Sequence, residues 1–258
     1  MTRADVIVIG GGANGASTAF HLASRGVKNV LLLERRHLGA GATGKSGSLV
    51  RMHYTNEPES RLAFESLKIF QDFRNVVGAD CGFEPIGFLQ IVPKGFEAAL
   101  RRNVARQQGL GIKTEAIEPR RLAEILPGCR TDDVGAAAWE PDSGFADPNA
   151  TTFAFAEAAR RLGVTIETGC EVTRILTDRG RVIGVDTARA AWRRRSWCSC
   201  RARGRHRCWV RSASISGWCL TASRSRSFGG HKDSRGDTAW SSTRSISRGS
   251  ARKATTPR

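Results

Sequence analysis

Short apolar runs separated by small or polar residues dominate the first part of the chain. Val6–Ile9 is rich in β-branched residues and lacks polar alternation, which predicts a strand buried on both faces of a parallel sheet. Residues 15–24 carry small and apolar side chains at helical spacing, and a second apolar run, Val30–Leu33, follows them. This order predicts a strand, a helix and a second strand parallel to the first.

The middle of the chain predicts a second group of elements. A short strand over residues 48–52 precedes a strand in "GFLQIVPKG", residues 87–95. Apolar residues at helical spacing then predict helices over residues 96–108 and 119–126. Strands and helices mixed in this way are typical of an α+β domain.

The last patterned region predicts a helix followed by a β-hairpin. The helix begins after "DSGFADPN", with Asp147 or Asn149 as its cap. Residues 163–187 alternate between apolar and polar positions around a "DRG" turn, as expected of a hairpin. Four residues of the helix are expected to face inward: Ala154, Phe155, Ala158 and Leu162.

Charge is distributed very unevenly along the chain. The net charge is +17, but residues 188–258 hold 18 of the 41 Lys and Arg and 2 of the 24 Asp and Glu. The remaining 23 basic and 22 acidic residues nearly balance each other in residues 1–187. Residues 188–258 contain only four Val, Ile, Leu or Met residues, too few to offset the entropy of ordering. We therefore predict low order for residues 188–258 and a sheet without its next buried strand.

Three glycines between the first strand and the first helix carry the strongest chemical signal. Gly10, Gly12 and Gly15 form G-x-G-x-x-G, which permits a tight turn, close approach of a pyrophosphate and close packing of the helix. The N-terminus of that helix offers backbone N–H groups to phosphate. Glu34 ends the second strand, where a carboxylate accepts hydrogen bonds from ribose hydroxyls. The motif predicts an adenine dinucleotide site for FAD or NAD.

The segment after Glu34 distinguishes the two dinucleotides. "RRHLGAGATGKSGSLVRMHY" is a loop of small residues that leads into a short strand, whereas an NAD-binding domain usually continues into another βα unit. This loop, "VIVIGGGANGASTAFHLA", "LLLER" and "ARRLGVTIETGCEVTRILTDRGRVIGVDT" resemble the D-amino-acid oxidase superfamily of FAD-dependent oxidoreductases. The similar branch contains glycine oxidase, sarcosine oxidase beta subunits and dimethylglycine-oxidising enzymes. The resemblance covers residues 4–187.

The resemblance implies non-covalent FAD and a set of cofactor contacts. In the family the loop after the acidic residue wraps the pyrophosphate and ribityl chain, and the hairpin gives a backbone contact to adenine. No histidine stands at "ADPN", where beta subunits attach a second flavin. Arg51 occupies the place of an arginine near the flavin and suits a substrate carboxylate, with a solvated arginine as the alternative. The implied FAD contacts are Gly10, Gly12, Ala13, Asn14, Gly15, Glu34, Ala42, Gly47, Leu49 and Val172.

These inferences define the expected fold class and function. We expect an α/β protein with a Rossmann-like FAD-binding domain in residues 1–78 and 150–187, and an inserted, incomplete α+β substrate domain in residues 79–149. The expected reaction is oxidation of a small amine or amino acid, such as sarcosine, glycine or dimethylglycine, by hydride transfer to flavin. No apolar run reaches membrane-spanning length, and the widely spaced cysteines of residues 1–187 suit a reducing cytoplasm.

Three interpretations of residues 188–258 remain open. One is a basic RNA-binding tail on a nucleotide-binding domain, with Trp192, Trp197 and Trp209 as stacking platforms. Another is a zinc site of Cys198, Cys200, His206 and Cys208, whose spacing C-x-C-x5-H-x-C matches no standard module. The third is that the segment is a translation of the wrong reading frame, which leaves this chain without activity and without a specific nucleic-acid partner.

The genetic code tests the third interpretation. If the reading frame moves back by one nucleotide, Trp197-Cys198 yields valine, because TGG followed by TG contains GTG. The segment 208–210 then yields Leu-Gly, and Trp218-Cys219 yields another valine. In the shifted frame the codons of "RRRSWCSC" therefore encode a short polar segment followed by a continuous apolar strand. The resemblance implies such a strand directly after the hairpin. We expect a shifted frame beyond residue 187.

Overall fold

Residues 2–179, 181–188 and 191–199 are described by a computed structural model of the chain. They divide by internal contacts into unit 1, which holds the described residues up to Ser48, Asp72–Gly82 and those from Ala146 onward, and unit 2, which holds Leu49–Gln71 and Phe83–Phe145. The predicted low order of residues 200–258 concerns positions outside the described residues. The elements in chain order are β1 Thr2–Ile9, α1 Ala13–Ser24, β2 Val30–Leu33, a 3₁₀ turn Thr43–Lys45, β3 Leu49–Val50, α2 Glu57–Gln71, α3 Phe73–Val77, β4 Phe88–Pro93, α4 Glu97–Gly109, β5 Glu115–Ile117, α5 Pro119–Ile125, β6 Val134–Glu140, β7 Gly144–Phe145, α6 Pro148–Arg161, β8 Thr165–Glu167, β9 Val172–Asp178, β10 Arg181–Thr187 and β11 Ala191–Ser199.

Unit 1 is built on a six-stranded sheet in the order β8-β2-β1-β11-β10-β9. β1 pairs in parallel with β2, with Ile7 opposite Leu31 and Val8 opposite Leu32. β2 pairs in parallel with β8, and β9 and β10 form an antiparallel hairpin. Ile7 and Val8 point to opposite faces of the sheet and are both completely buried. The predicted strand buried on both faces, the βαβ unit and the hairpin are confirmed.

The two long helices of unit 1 pack against each other. The ring centroids of Phe20 in α1 and Phe155 in α6 lie 5.6 Å apart. Asp147, rather than Asn149, caps α6, because its side chain accepts the N–H of Ala150 at 2.7 Å. The inward orientation predicted for Leu162 is wrong, since this residue follows the last turn of α6 and is 49% exposed. The other three inward residues are buried as predicted: Ala154, Phe155 and Ala158.

β11 corrects the prediction of low order for the whole of residues 188–258. Its backbone lies between β1 and β10, parallel to β1 and antiparallel to β10. The prediction is wrong for these residues, and so is the expectation that the sheet lacks its next strand. The average composition takes no account of backbone hydrogen bonding. Every residue except proline supplies both an N–H and a C=O group for the pairing of strands. Trp192 adds apolar contact, since it packs against the cluster that contains Ile7 and Val185.

Unit 2 contains a three-stranded antiparallel sheet in the order β4-β6-β5 and a two-stranded sheet of β3 and β7. Leu100 of α4 and Leu122 of α5 are buried in clusters that include residues of β6. The predicted strand and two helices of this region are confirmed. The strand predicted over residues 48–52 is limited to the two residues of β3.

The observed division of the chain differs from the predicted domain boundaries at residues 78 and 149. β3 pairs with β7 inside unit 2, so residues 49–71 group with that unit. Residues 72–82 group with the sheet of unit 1. These boundaries are set by strand pairing between segments far apart in sequence. The local pattern of apolar residues does not predict such pairing.

Candidate functional site

A glycine turn at the end of β1 brings the backbone next to Glu34. Gly10 has a φ of +106°, and its N–H donates to the carbonyl of Leu33 at 2.8 Å. The N–H of Gly11 donates to Glu34 Oε2 at 2.7 Å, and the N–H of Arg36 donates to Oε1 at 2.8 Å. Each carboxylate oxygen therefore accepts one backbone N–H and keeps lone pairs for other donors, such as ribose hydroxyls.

The turn leaves no room for a side chain at Gly11 or Gly12. A Cβ added to Gly11 would lie 2.8 Å from Leu38 Cδ2 and 2.9 Å from Glu34 Cβ. A Cβ added to Gly12 would lie 2.8 Å from Thr43 Oγ1. Bare backbone at this place is what the pyrophosphate of a dinucleotide requires. The residues present fit an adenine dinucleotide.

Replacement of Gly11 by alanine is expected to destabilise unit 1 by about 1–3 kcal/mol, the usual cost of overpacking. The new methyl group would overlap Leu38 and Glu34 and displace the carboxylate. Gly41→Ala is the matched control, because a Cβ at Gly41 meets no atom within 4 Å. Urea unfolding of the two variants measures the difference. Equal midpoints would contradict the proposed close packing at Gly11.

Thr43 is a residue of this site that the sequence patterns did not identify. Its Oγ1 accepts the N–H of Ala13, the first residue of α1, at 3.1 Å. Gly12, which precedes α1, has no side chain to cap the helix, so the hydroxyl of Thr43 takes that role from the loop. The loop after Glu34 thus folds back onto the positive end of α1. The sequence feature that could have identified Thr43 is a hydroxyl side chain among the small residues of this loop.

The segment that leads to Val172 lies beside the end of β2. The N–H of Cys170 donates to the carbonyl of Glu34 at 2.9 Å, and the N–H of Gly169 donates to that of Arg36 at 2.9 Å. Val172 itself is half-buried and packs against the apolar cluster of the sheet. The hairpin is therefore held against the acidic residue that the motif singles out.

The predicted cofactor contacts fall into both units. In unit 1 the glycine turn, Glu34 and the loop that contains Ala42 lie together. Leu49 and Arg51 are described within unit 2. The predicted contacts in unit 1 are Gly10, Gly12, Ala13, Asn14, Gly15, Glu34, Ala42, Gly47 and Val172.

Arg51 follows β3 and is stacked on two rings. Its guanidinium lies 4.5 Å from the ring centroid of Tyr54 and 5.4 Å from that of Phe88. It also donates a hydrogen bond to the carbonyl of His53. Cation–π stacking of this kind keeps a guanidinium partly desolvated and its planar face oriented. Arg51 is half-buried, and its role in binding a substrate carboxylate, with a solvated arginine as the alternative, stays a prediction.

Glu140 and His53 form a buried polar pair that the sequence patterns missed. Glu140 is completely buried, and its Oε2 accepts the N–H of Met52 at 3.0 Å and the hydroxyl of Ser143 at 2.8 Å. Its Oε1 lies 3.9 Å from His53 Nδ1. Burial raises the pKa of Glu140 above its ordinary value. Burial, followed by the charge of Arg51, lowers the pKa of His53 to about 4, so its imidazole is neutral at pH 7.

The fold and the glycine turn define a dinucleotide-binding protein, and comparison with known families identifies the dinucleotide. The family described as DAO, FAD dependent oxidoreductase, matches residues 5–198. The chain therefore belongs to the DAO family of FAD-dependent oxidoreductases. The match runs to residue 198, past the predicted limit of the resemblance at residue 187. It does not favour the alternative of a basic RNA-binding protein.

Individual relatives agree with this family. The chain is 30% identical over 196 residues to sarcosine oxidase subunit beta of Rhodobacter capsulatus, which covers 73% of this chain and 47% of that protein. It is 29% identical over 175 residues to mitochondrial dimethylglycine dehydrogenase of Rattus norvegicus, which covers 67% of this chain and 20% of that protein. The chain thus spans about half the length, or less, of these curated relatives.

Solved structures show the same fold. L-proline dehydrogenase from P. horikoshii superposes with a TM-score of 0.71 at 29% identity, covering 77% of this chain and 52% of that chain. Glycine oxidase from Bacillus cereus ATCC 14579 superposes with a TM-score of 0.62 at 28% identity, covering 76% of this chain and 54% of that chain. The predicted α/β fold class is confirmed.

Two kinds of feature are absent from the described residues. No helix there combines the length and the apolar character needed to cross a bilayer. No group of three or more His, Cys, Asp or Glu among them could hold a metal ion. Cys200, His206 and Cys208 of the alternative zinc site lie outside the described residues.

Proposed function

We propose that this chain derives from an enzyme that oxidises a small amine or amino acid, such as sarcosine, glycine or dimethylglycine, with non-covalently bound FAD. The observation that carries the proposal is the contact between Glu34 and the N–H of Gly11, at 2.7 Å, in a turn without room for side chains. Family membership over residues 5–198 supports the choice of FAD over NAD. The proposed cofactor contacts are those predicted from the sequence, with Thr43 added.

Each group of residues has a distinct task in this proposal. Bound FAD supplies the acceptor for a hydride from the substrate carbon. Glu34 accepts hydrogen bonds from the ribose hydroxyls, and the N-terminus of α1, with Thr43 beside it, faces the pyrophosphate. Arg51, already oriented by Tyr54 and Phe88, binds the substrate carboxylate through two parallel N–H donors.

FAD retention tests the cofactor assignment. We expect the purified chain to bind FAD weakly and NAD not at all, and Glu34→Ala to weaken FAD binding by about tenfold or more, as expected for lost hydrogen bonds to a charged group. Quenching of flavin fluorescence on titration gives the affinities. Glu157→Ala is the control, because Glu157 is an exposed residue of α6 paired with Arg160. Retention of NAD with no affinity for flavin would contradict the assignment.

We also propose that residues beyond about 187 are a translation of a shifted frame, and that the 258-residue chain is inactive. β11 lies between two other strands of the sheet, a position at which sequences are usually apolar, yet it contains Arg193–Arg195. A conflict between local sequence and fold of this kind argues against a sequence selected for that position. The chain also continues for 60 residues past the family match.

A cytoplasmic location is part of the proposal. Cys129 and Cys170 form no disulfide in the described part of the chain, and Cys170 is buried. Free thiols are the ordinary state of cysteine in a reducing compartment. Retention of the Cys129 and Cys170 thiols in protein purified without reductant from an oxidising compartment would weaken this argument.

A further inference from the structure

The segment Arg51–Tyr54 is held by side chains rather than by a strand partner. β3 ends at Val50, and the backbone beyond it needs other hydrogen-bond partners when buried. Glu140 accepts the N–H of Met52, and Gln107 Nε2 donates to the carbonyls of Met52 at 3.4 Å and Tyr54 at 3.2 Å. The place of Arg51 therefore depends on residues of α4 and β6.

The hydrogen bonds from α4 to His53 have a fixed direction. The guanidinium of Arg106 donates to Asn103 Oδ1, and to the carbonyl of Thr55 at 2.7 Å. A guanidinium has no acceptor, so Asn103 Oδ1 must be the acceptor and Asn103 Nδ2 a donor. Nδ2 lies 3.0 Å from His53 Nε2, so Nε2 accepts. A neutral imidazole that accepts at Nε2 carries its proton on Nδ1.

Unpartnered atoms beside His53 support the same tautomer. His53 Nδ1, Gln107 Oε1 and Glu140 Oε1 are among the buried side-chain atoms without a hydrogen-bond partner in the described residues. With the proton on Nδ1 they are one donor and two acceptors, and Glu140 Oε1 is 3.9 Å away. With the proton on Nε2 all three would be acceptors without a donor, each at a cost of burial. Nε2–H would also face the donating amide of Asn103.

We propose that Arg106 and Asn103 form a directed hydrogen-bond relay that locks His53 in its Nδ1–H tautomer, with Nδ1–H facing Glu140 Oε1, and that this arrangement fixes the position of Arg51. The contact between Nδ1–H and Glu140 Oε1, at 3.9 Å, is electrostatic and longer than a hydrogen bond. Asn103, His53 and Glu140 are then positioning residues for Arg51. The use of Arg51 in catalysis rests on the proposed function, whereas the relay itself requires neither flavin nor substrate.

Nitrogen NMR of the full chain tests the relay. With histidine labelled by ¹⁵N, and the His53 signals assigned by their loss in His53→Gln, we expect Nδ1 to be protonated and Nε2 unprotonated at pH 7. Asn103→Asp replaces the donor at Nε2 by an acceptor, so it should reverse the tautomer. Protonation at Nε2 in the native chain, or an unchanged tautomer in Asn103→Asp, would overturn the relay.

Chemical modification of Arg51 tests its positioning. Phenylglyoxal should react with Arg51 about tenfold faster in Glu140→Ala than in the native chain, a factor that corresponds to ~1.4 kcal/mol. Glu140→Gln should keep most of the protection, because the amide oxygen still accepts the N–H of Met52. Peptide mass spectrometry gives the rates, with exposed Arg102 as the internal reference and Glu157→Ala as the matched variant. Equal rates at Arg51 in all variants would overturn the positioning role. This result would not affect the cofactor assignment, which the titration with FAD tests separately.

Discussion

No turnover of sarcosine, glycine or dimethylglycine is expected from the 258-residue chain, and turnover of at least one is expected after the frame is moved back by one nucleotide beyond residue 187. Hydride transfer requires the flavin ring to be fixed against the substrate carbon. In this chain the family match ends at residue 198, and a segment rich in arginine and serine follows. The measurement is anaerobic bleaching of flavin absorbance by each amine, with and without the restored frame.

The restored chain provides its own control. Arg51→Lys in that chain keeps the charge but loses the planar pair of donors, so we expect a higher KM for the amine while flavin remains bound. If the restored chain binds flavin but oxidises none of the three amines, the proposed substrate class is wrong and the cofactor assignment stands. Amine oxidation by the chain as written would contradict the proposal directly. The nucleotide sequence around codon 187 is the independent check.

The first βαβ unit could be predicted because its signals are local. The run Val6–Ile9, the three glycines and Glu34 lie within 29 residues, and each acts on its neighbours through a strand, a turn or a helix end. Gly11 lies between two of these glycines, and its contact with the acidic residue was not predicted. The fold class and the cofactor family could be inferred from these features.

The partners of the polar residues could not be predicted, because they meet across long stretches of chain. Thr43 reaches Ala13 across 30 residues, and Glu140 reaches Met52 across 88. Periodicity reports which face of an element is apolar and contains no information about such pairs. His53 could be noticed beside Arg51, but its partners on α4 and β6 depend on the packing of unit 2.

The error at β11 has a different cause. The prediction of low order used the average composition of 71 residues, and an average conceals a short segment with a ready neighbour on each side. Ala191–Ser199 pairs with β1 and β10 through its backbone. Trp192, at its start, adds contact with the apolar cluster of the sheet. Composition predicts whether a segment has enough apolar residues to form its own core. Addition of a strand to an existing sheet requires far fewer apolar residues, because the backbone forms the hydrogen bonds.

Acid is expected to destabilise the chain between pH 6.5 and about 4 through His53. The ordinary pKa of 6.5 is lowered to about 4 in the folded chain, by burial first and then by the charge of Arg51, with Arg106 acting in the same direction and Gln107 against it. The unfolded chain therefore binds a proton in this interval more readily than the folded chain. Stability from neutral His53 is fully present above pH 6.5 and is lost as the pH falls towards 4. The change of the pKa from 6.5 to about 4 corresponds to at most ~3.4 kcal/mol.

Urea unfolding at a series of pH values measures this effect. In His53→Gln the free energy of unfolding should depend less steeply on pH between 4 and 6.5, whatever the variant's absolute stability. His21→Gln is the matched control, because its pKa is also lowered, by burial and then Arg25, but His21 is less buried than His53. The raised pKa of Glu140 acts in the opposite direction, since its folded carboxyl binds a proton more readily than the unfolded one, and it remains in both variants. The same slope in native chain and His53→Gln would show that His53 is free to take up a proton in the folded state, which contradicts its burial beside Arg51.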